Sequence, residues 1–377
     1  MVTNRIVILL LFCITFFLVY DMFSNGNKSG QINVKEYKKA DNWQETTTAR
    51  KMGDELEKIE KNGTEKSEKR DEEDEQFEIR FKNIRLKYRM EFENECPDQT
   101  KLIILSMSRR DAFEKRKGIR QTWMKDAVKL NKTPNHLKLI NWFWVPGETI
   151  RFLVADPSPG EAENVQQKLA EEQKRHGDLV FLYGFIDMYT NIHLKWYGGL
   201  QWQQSFCAGA EWVMKADDDS IVHLRRLAYW KENKFNKIAE QNPLVYFGHV
   251  FHNHSPFRNT RSKWFASMDM YAGDKYPEFV QGAVYLATAA TIGAILSHSH
   301  EIVGFYLDDV VFTGILAELA NVTVSDQRIH HVWGVNFDSD TGGCIGEVPT
   351  AFSMWGVESV KKYEYHYERL KSRKCTS

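Results

Sequence analysis

Hydrophobic and polar residues divide the chain into three regions of different character. An uncharged apolar stretch, IVILLLFCITFFLVY, runs from Ile6 to Tyr20 with Thr15 as its only polar side chain, and Met22 and Phe23 extend it. A polar region follows from Ser24 to Glu95 and becomes densely charged. From Cys96 onward, short apolar runs alternate with amphipathic stretches, which is the pattern of a folded domain. The sequence therefore predicts a membrane-directed segment, a spacer and one globular domain.

The apolar segment, residues 6–23, predicts an uncleaved signal-anchor transmembrane helix. About 20 apolar residues are needed to span a bilayer, and no small-residue cleavage site follows this stretch. Arg5 favours a cytosolic tail of residues 1–5 by the positive-inside rule, so the rest of the chain would lie in a lumen. A cleaved signal peptide and a soluble core helix are the alternatives.

The charged region, residues 24–95, predicts a stem that holds the domain away from the membrane. Its few apolar residues fall at helical spacing around Leu56 and again from Phe77 to Tyr88, which favours solvated helices. A short coiled coil is the alternative, although Asn62-Gly63 and the charge run interrupt any heptad.

Residues 96–377 predict an α/β domain. Strands are expected at Leu102–Ser106, Phe152–Asp156, Asp178–Leu182 and Trp212–Asp219. Helices are expected around Ile119–Trp123, at Glu161–His176 and at Asn191–Phe206. Strands that alternate with helices indicate a mostly parallel sheet. No GxGxxG follows the first strand, so the phosphate loop of a dinucleotide-binding domain is missing.

Composition narrows the function classes. Hydrophobic residues make up 42% of the 377 residues, which excludes a disordered chain. Fifty basic and 51 acidic residues give a net charge of -1, which argues against a nucleic-acid binder. Apart from Cys13 in the apolar segment, the cysteines are Cys96, Cys207, Cys344 and Cys375, and they allow three pairings. Five Asn-x-Ser/Thr sequons follow the apolar segment and fit a secretory-pathway lumen: Asn27, Asn62, Asn131, Asn253 and Asn321.

Three adjacent acids end an apolar strand in Lys215-Ala216-Asp217-Asp218-Asp219. Adjacent carboxylates repel one another, so the run costs stability unless a cation is present. Alternate residues of an extended chain point the same way, so Asp217 and Asp219 can face one ion. Oxygen ligands suit Mn²⁺ or Mg²⁺, and ligands of α/β sheets bind beyond the carboxyl ends of the strands. The run predicts a metal–nucleotide site, with a solvated turn or a calcium loop as alternatives.

A second acidic pair, Asp308-Asp309, precedes an amphipathic stretch and predicts the start of a helix. Acids are favoured at a helix N-terminus, so capping is one interpretation. The functional interpretation is a general base that takes a proton from a hydroxyl.

Two other regions combine residue types that suit a sugar nucleotide. Arg109–Trp123 carries six cations just past the first predicted strand, as an exposed basic helix or a phosphate site would. Arg261–Thr288 is rich in aromatic residues and glycine, a composition typical of packing or of sugar stacking.

The order of these motifs resembles that of the β-1,3-glycosyltransferase family, which includes β-1,3-galactosyltransferases and β-1,3-N-acetylglucosaminyltransferases. The matching elements, between Lys101 and His331, are Arg116–Trp123, Gly177-Asp178 with Asp187–Lys195, Lys215–Asp219, Arg261–Trp264, Tyr276–Tyr285, and Asp308–Val310 followed by Thr313-Gly314. Here the acidic pair is Asp-Asp, where the family usually has Glu-Asp.

The resemblance implies a GT-A (Rossmann-like) fold and an Mn²⁺-dependent inverting transfer from a UDP-sugar donor. The sugar would be a hexose or N-acetylhexosamine, with galactose first, and it would join the 3-hydroxyl of an acceptor glycan in a β-1,3 linkage. The acceptor would be a glycan on a glycoprotein or glycolipid. The resemblance also implies a single-pass type II protein of the Golgi apparatus membrane, with its catalytic domain in the lumen.

The family's motifs also imply roles for the acidic positions. Asp309 matches the catalytic base, which would take the acceptor proton as the hydroxyl attacks the sugar. Asp217 and Asp219 match the metal ligands, and Asp217 and Asp218 match the nucleotide-binding acids.

Basic positions complete the site that the resemblance implies. Arg116, Arg120 and Lys195 match positions near the nucleotide. A downstream histidine usually completes the metal shell, and of His330 and His331 we prefer His331.

Two other functions compete with the enzyme. One is a catalytically inactive lumenal protein that binds sugars or acts like a chaperone on the same fold. The other is a membrane-tethered spacer with Ca²⁺ on the acidic run. The intact acidic elements favour the enzyme.

Overall fold

The structure is a computed structural model that describes residues 76–81, 84–89, 96–125, 147–299, 305–333, 343–357 and 359–375. The predicted cytosolic tail and signal anchor, and the stem up to residue 75, lie outside these ranges, so they stay predictions. Within the ranges, no helix is both long and apolar enough to cross a membrane.

The described chain forms strands grouped in one large sheet and three small ones. The strands are β1 (Gln76–Phe81), β2 (Ile84–Arg89), β3 (Leu102–Met107), β4 (Glu148–Asp156), β5 (Leu179–Ile186), β6 (Trp212–Asp217), β7 (Ile221–Val222), β8 (Val245–Gly248), β9 (Val250–Phe251), β10 (Phe279–Val280), β11 (Val284–Thr288), β12 (Thr323–Asp326), β13 (His331–Trp333), β14 (Cys344–Ile345), β15 (Val348–Pro349) and β16 (Ser353–Trp355).

Helices lie between many of these strands. They are α1 (Phe113–Gln121), α2 (Asn164–His176), α3 (Ile192–Phe206), α4 (Leu224–Trp230), α5 (Asn236–Gln241), α6 (Ala289–His298), α7 (Asp308–Val310), α8 (Leu316–Leu319) and α9 (Val360–Ser372). A π-helical turn, Val311–Ile315, joins α7 to α8, and another, Lys231–Phe235, joins α4 to α5.

The large sheet has nine strands in the order β1-β2-β5-β4-β3-β6-β11-β8-β12. The four central strands β5, β4, β3 and β6 are parallel, and β11 runs antiparallel to β6. Central parallel strands are buried on both faces and therefore read as continuous apolar runs, such as LIILSM in β3. Along β3, Ile103 and Leu105 join the core on one face, and Leu102 and Ile104 join the core on the other.

The predicted alternation of strands and helices in residues 96–377 is confirmed for the described part of that range. All four predicted strands exist, as β3, β4, β5 and β6, and the three predicted helices exist as α1, α2 and α3. The helix predicted to open at the acidic pair also exists and begins at Asp308. The helical prediction for Phe77–Tyr88 is wrong. That part of the stem forms β1 and β2, which pair with each other and with β5 at the edge of the large sheet.

The C-terminal segment adds a second layer beside β6. Strand β16 pairs with β13 on one side and with β7 on the other, so a three-stranded sheet begins just after the acidic run. Two disulfides settle the pairing that the sequence left open: Cys96–Cys207 and Cys344–Cys375. The first joins the start of the domain to the end of α3, and the second joins β14 to the residues after α9.

Candidate active site

The carboxyl ends of the parallel strands meet at one edge of the large sheet. Met107 at the end of β3 stands in register with Asp217 at the end of β6. Asp156 at the end of β4 stands in register with Ile186 at the end of β5. The segments that leave these strands therefore converge, and they carry most of the predicted site residues.

Ser108, the first residue after β3, joins three of the predicted nucleotide-binding residues. Its hydroxyl accepts a hydrogen bond from Arg116 Nη1 at 3.0 Å and donates one to Asp218 Oδ2 at 3.1 Å. Its carbonyl oxygen accepts a hydrogen bond from Lys195 Nζ at 2.9 Å. Because Ser108 is buried, these bonds fix the path of the chain where it leaves β3. No sequence motif pointed to Ser108.

The Arg116 guanidinium is fully buried, and all five of its N–H groups are used inside the protein. Three donors serve Ser108 Oγ and the carbonyl oxygens of Arg109 and Arg110. The rest form a bidentate pair with Glu172, which is 2.7 Å from Nη2. Arg116 therefore fixes the chain after β3, and its place near the nucleotide stays a prediction.

Arg120 continues the same network one turn along α1. Its Nη2 lies 2.7 Å from Asp178 Oδ1, its Nε donates to Asp178 Oδ2 at 2.8 Å, and its Nη1 lies 2.6 Å from Glu172 Oε1. The Gly-Asp motif before β5 therefore supplies the carboxylate that orients Arg120. This network joins α1 to α2 and β5.

Lys195 and Asp218 are buried and paired as well. The Lys195 ammonium donates a short hydrogen bond to Asp187, whose other oxygen accepts from the Ala155 backbone N–H at 3.0 Å. Burial lowers the pKa of Lys195, against the effect of Asp187. Asp218 Oδ1 lies 2.7 Å from Lys115 Nζ. The charged motif residues thus tie the ends of β3, β4 and β6 together.

The acidic run alternates in accessibility across the turn that follows β6, where the Ser220 N–H donates to the Asp217 carbonyl oxygen at 3.0 Å. Asp217 and Asp219 are partly exposed, and Asp218 between them is buried. The buried Lys215 ammonium donates to Asp217 Oδ1 at 2.6 Å and to the Gly282 carbonyl oxygen at 2.5 Å. One cation inside the protein therefore counters the first acid of the run.

The acidic pair of α7 lies beside the acidic run. Asp308 Oδ2 is 3.4 Å from Lys215 Nζ, and this buried oxygen has no hydrogen-bond partner. Asp309 accepts a hydrogen bond from the Val310 N–H at 2.9 Å, and its own carbonyl accepts one from Thr313 Oγ1 at 2.6 Å. The two acidic motifs, separate in the sequence, therefore share one buried lysine.

Gly282 lets the backbone pass close to the Asp309 side chain. A Cβ atom at Gly282 would lie 3.1 Å from Asp309 Cβ and 3.2 Å from Asp309 Oδ2, closer than most side-chain contacts. Only glycine allows the backbone to approach the carboxylate this closely. The glycine of the Tyr276–Tyr285 motif thus shapes the site of the candidate base.

Crowding changes how these acids titrate. Desolvation and the like charges of Asp219 and Asp308 raise the pKa of Asp217 to about 7, against the lowering effect of Lys215. Desolvation likewise raises the pKa of Asp219. Desolvation and Asp308 raise the pKa of Asp309 to about 7. Carboxylates with raised pKa values, in a place where ligands of α/β sheets bind, indicate a functional site.

His330 and His331 have partners in the C-terminal segment: His330 bonds the Thr350 carbonyl oxygen and His331 bonds the Ser353 hydroxyl. His330 is fully buried and its ring stacks on Phe352 at 5.3 Å. His331 Nδ1 is bonded to Ser353 Oγ at 2.7 Å. Burial, with His330 and His249, lowers the pKa of His331 to about 3, and Asp326 opposes this.

A divalent cation fits the donor set of the acidic run. Asp217 and Asp219 offer the carboxylate oxygens that Mn²⁺ and Mg²⁺ prefer. Asp308 Oδ2 is a buried oxygen that makes no hydrogen bond and whose nearest cation is the Lys215 ammonium at 3.4 Å. In the described ranges, however, no three side chains of His, Cys, Asp or Glu are grouped closely enough to hold a metal ion. Asp217, Asp219 and His331 therefore do not form a three-ligand group.

The C-terminal segment donates hydrogen bonds to the backbone of the acidic run, a role that the sequence motifs did not indicate. The Tyr363 hydroxyl of α9 donates a short hydrogen bond to the Asp218 carbonyl oxygen. The Val357 N–H donates to the Asp219 carbonyl oxygen at 2.9 Å. A Cβ at Gly118 would lie 3.5 Å from the Tyr363 ring, so α1 packs closely on α9.

Comparison with known proteins agrees with the motifs. The family model described as "Galactosyltransferase" matches residues 114–328. Human lactosylceramide 1,3-N-acetyl-beta-D-glucosaminyltransferase is 27% identical over 244 residues, which are 64% of this chain and 60% of that protein. Human beta-1,3-galactosyltransferase 5 is 29% identical over 227 residues, which are 60% of this chain and 65% of that protein. The matches thus span about 60% of the length of these relatives.

Solved structures of glycosyltransferases align with much of the chain at low similarity. One, involved in glycosylation of the major capsid of PBCV-1, has a TM-score of 0.35 and 12% identity, and covers 71% of this chain and 98% of its own. The galactosyltransferase LgtC in complex with donor and acceptor sugar analogs has a TM-score of 0.34 and 11% identity, and covers 72% of this chain and 97% of its own.

The family model covers more than half of the chain, and it includes both acidic motifs. The chain therefore belongs to the galactosyltransferase family, the β-1,3-glycosyltransferases whose motifs its sequence carries.

Proposed function

We propose that the protein transfers a hexose or N-acetylhexosamine, galactose first, from a UDP-sugar to the 3-hydroxyl of an acceptor glycan, with inversion at the anomeric carbon. The observation that carries this proposal is the meeting of Asp217 and Asp308 at the buried ammonium of Lys215. A single in-line displacement needs one base near the acceptor hydroxyl, for which Asp309 is the candidate, and groups that stabilise the leaving diphosphate, for which Asp217 is a candidate. The same arrangement supports a GT-A fold for the domain.

On the donor side, the protein's own residues bind and orient. Arg116, Lys195 and Asp218 hold Ser108, so the chain that leaves β3 is fixed where the nucleotide would lie. Asp217 and Asp219 would hold a divalent cation such as Mn²⁺. When bound, that ion supplies charge neutralisation at the diphosphate leaving group.

On the acceptor side, Asp309 would act as the general base. A sugar hydroxyl has a pKa far above neutral, so its attack on the donor needs a base. Desolvation gives the Asp309 carboxylate a pKa of about 7, high enough to accept a proton and low enough to be ionised at neutral pH. Asp309 would take the acceptor proton as the new C–O bond forms and the bond to UDP breaks.

The predicted membrane topology indicates the compartment in which the protein acts. An anchor at residues 6–23 and a charged stem would set the domain in the lumen of the Golgi apparatus as a single-pass type II membrane protein. Two disulfides in the described domain fit an oxidising compartment.

The test is a donor screen on the full chain in detergent. UDP release is measured from UDP-galactose, UDP-N-acetylglucosamine and UDP-N-acetylgalactosamine, with Mn²⁺ or with EDTA. Lactose is the first acceptor, because one relative's name contains lactosylceramide. We expect acceptor-dependent UDP release with one donor, and loss of it in EDTA.

Asp309→Asn separates an enzyme from an inactive sugar-binding protein. The change should lower turnover by at least about 10²-fold, the usual contribution of a general base, and leave UDP binding unchanged. Asp274→Asn, at an exposed acid, is the matched control. Absence of UDP release from every donor, or full turnover in Asp309→Asn, would overturn the proposal.

A further inference from the structure

An exposed aromatic surface lies next to the acidic pair. Most large apolar side chains of the described chain are buried, but several exposed ones cluster in two short segments. They are Met188, Tyr189, Phe257, Trp264 and Met268. The aromatic members Tyr189, Phe257 and Trp264 are connected through Tyr306 and Lys263, and we call the surface that they form the aromatic patch. Contiguous exposed apolar surface on a soluble domain usually marks a binding site.

The protein holds the patch in place with specific contacts. Tyr306 makes an edge contact with Tyr189, with ring centroids 6.2 Å apart, and its hydroxyl donates to the Phe265 carbonyl oxygen at 2.6 Å. Phe257 packs on Trp264 with centroids 5.5 Å apart. The two segments of the patch are therefore joined through Tyr306.

The loop that carries Trp264 is also anchored from within. The Arg258 guanidinium donates to the carbonyl oxygens of Ala266, Ser267 and Gly273 at 2.8 to 2.9 Å. These bonds fix a long irregular loop whose tryptophan is 46% exposed. A rigid exposed aromatic ring binds at low entropic cost, because little freedom is left to lose.

The patch is connected to the candidate base through Tyr306, and the charge of the base reaches Tyr189. Tyr306 precedes Asp309 by three residues, so the residue that joins the patch also leads into α7. Asp308, Asp309 and Asp217 all act on the Tyr189 hydroxyl and, after burial, raise its pKa. Tyr189 is therefore the side of the patch nearest the acids.

Lys263 lies between the two exposed rings. Its Nζ is 4.8 Å from the Trp264 centroid and 6.0 Å from the Tyr189 centroid. The rings are thus no further apart than the sum of these distances, which is within the span of a disaccharide. Aromatic faces suit the C–H faces of sugar rings, and the ammonium can donate to sugar hydroxyls between them.

We propose that the aromatic patch is a two-sugar acceptor subsite, with the terminal sugar on Tyr189 beside Asp309 and the next sugar on Trp264. The proposal rests on the proposed function. If the subsite binds two sugars, the preferred acceptor is an oligosaccharide of at least two residues. A monosaccharide acceptor would then contact Tyr189 and not Trp264.

The experiment compares acceptors of different length on the full chain in detergent. Lactose and methyl β-galactoside are used with the donor found in the screen. Trp264→Ala should raise the KM for lactose about tenfold, the effect of losing about 1.4 kcal/mol, and leave kcat/KM for the monosaccharide within twofold. Tyr189→Ala should raise the KM for both. The KM for the UDP-sugar and acceptor-free UDP release should not change in Trp264→Ala.

Tyr365→Ala, at an exposed tyrosine of α9, is the control and should match the unmodified protein. Equal effects of Trp264→Ala on both acceptors, or none on lactose, would contradict the proposal. So would a change in sedimentation without a change in acceptor kinetics, because that result assigns the patch to contacts between copies of the chain.

A binding measurement keeps the proposal testable if no donor is turned over. Saturation-transfer NMR with lactose and methyl β-galactoside reports contact without chemistry. Loss of the lactose signal in Trp264→Ala would support the subsite even if the transfer activity failed. The absence of a lactose signal in the unmodified protein would overturn the acceptor subsite and leave the proposed function untouched.

Discussion

Lys215 Nζ lies 3.4 Å from Asp308 Oδ2, although Lys215 belongs to β6 and Asp308 opens α7. The same ammonium donates to Asp217, so one buried cation holds the acidic run against the acidic pair. Burial alone would lower the pKa of Lys215, but Asp217 and Asp308 more than offset this and raise it. The lysine therefore stays charged.

Lys215→Met should destabilise the protein and abolish transfer. Removing one partner of a buried ion pair costs about 3–5 kcal/mol, because the remaining carboxylates lose their compensation. Urea denaturation and thermal melting measure the loss. Lys101→Met, which breaks an exposed pair with Glu211, is the control and should cost at most about 1 kcal/mol. Equal stability of the two variants would show that Lys215 does not hold the acids together.

Ser108→Ala should weaken donor binding. The change leaves Arg116 and Asp218 each without one buried hydrogen-bond partner, which typically costs about 1–3 kcal/mol. We expect the KM for the UDP-sugar to rise about tenfold or more, while the KM for lactose stays constant. Ser372→Ala, whose hydroxyl bonds an exposed helix carbonyl, is the control. An unchanged donor KM would remove Ser108 from the donor site.

Asp219→Ala should remove the response to Mn²⁺ and leave the fold intact. Loss of one carboxylate from a crowded run relieves repulsion, so the free energy of unfolding should not fall. Mn²⁺ titration of UDP release and a thermal melt measure the two effects. Asp111→Ala, at an exposed acid paired with Arg109, serves as control. Normal Mn²⁺-dependent turnover in Asp219→Ala would refute the ligand assignment.

Turnover should depend on the protonation of Asp309. The carboxylate acts as a base only when it is deprotonated, and its pKa is raised to about 7. The rate at saturating substrates should therefore be full above this pKa and fall as the pH drops through about 7. In Asp309→Asn the residual rate should lose this dependence. A flat profile below pH 7 in the unmodified protein would assign the base elsewhere.

The membrane topology predicted for residues 6–23 has its own test. The full chain should stay in the membrane pellet after carbonate washing, because a spanning helix satisfies all its backbone hydrogen bonds in lipid. Glycosidase treatment should lower its mass through Asn27 and Asn62, and through Asn321, which is exposed on a left-handed turn. Complete release by carbonate would show that the segment is no anchor.

The local pattern of apolar and polar residues was enough to predict much of the fold. The apolar runs predicted β3 to β6, although the strand expected to reach Asp219 ends at Asp217 and Asp218 and Asp219 lie in a turn. The strands follow from burial on both faces of the sheet, which neighbouring apolar residues encode.

Distant partners explain what the sequence did not reveal. Arg116 looked like a phosphate ligand, but Glu172, on another helix, neutralises it. Tyr363 carried no motif, yet it bonds the backbone of Asp218 from the far end of the chain. Such contacts depend on the packing of separate elements, which local composition does not encode. Cysteine spacing likewise could not choose between pairings that only the fold decides.

The segment matched by the family model does not contain the whole fold that positions the candidate site. Residues 114–328 exclude β3, the strand at the centre of the large sheet, and β16, which pairs with the strand after the acidic run. A fragment that keeps the candidate site should therefore begin by Cys96 and continue to Cys375, because a disulfide fastens each end. Trimming either terminus past its cysteine should disturb the candidate site from a distance, without removing any of its acidic residues.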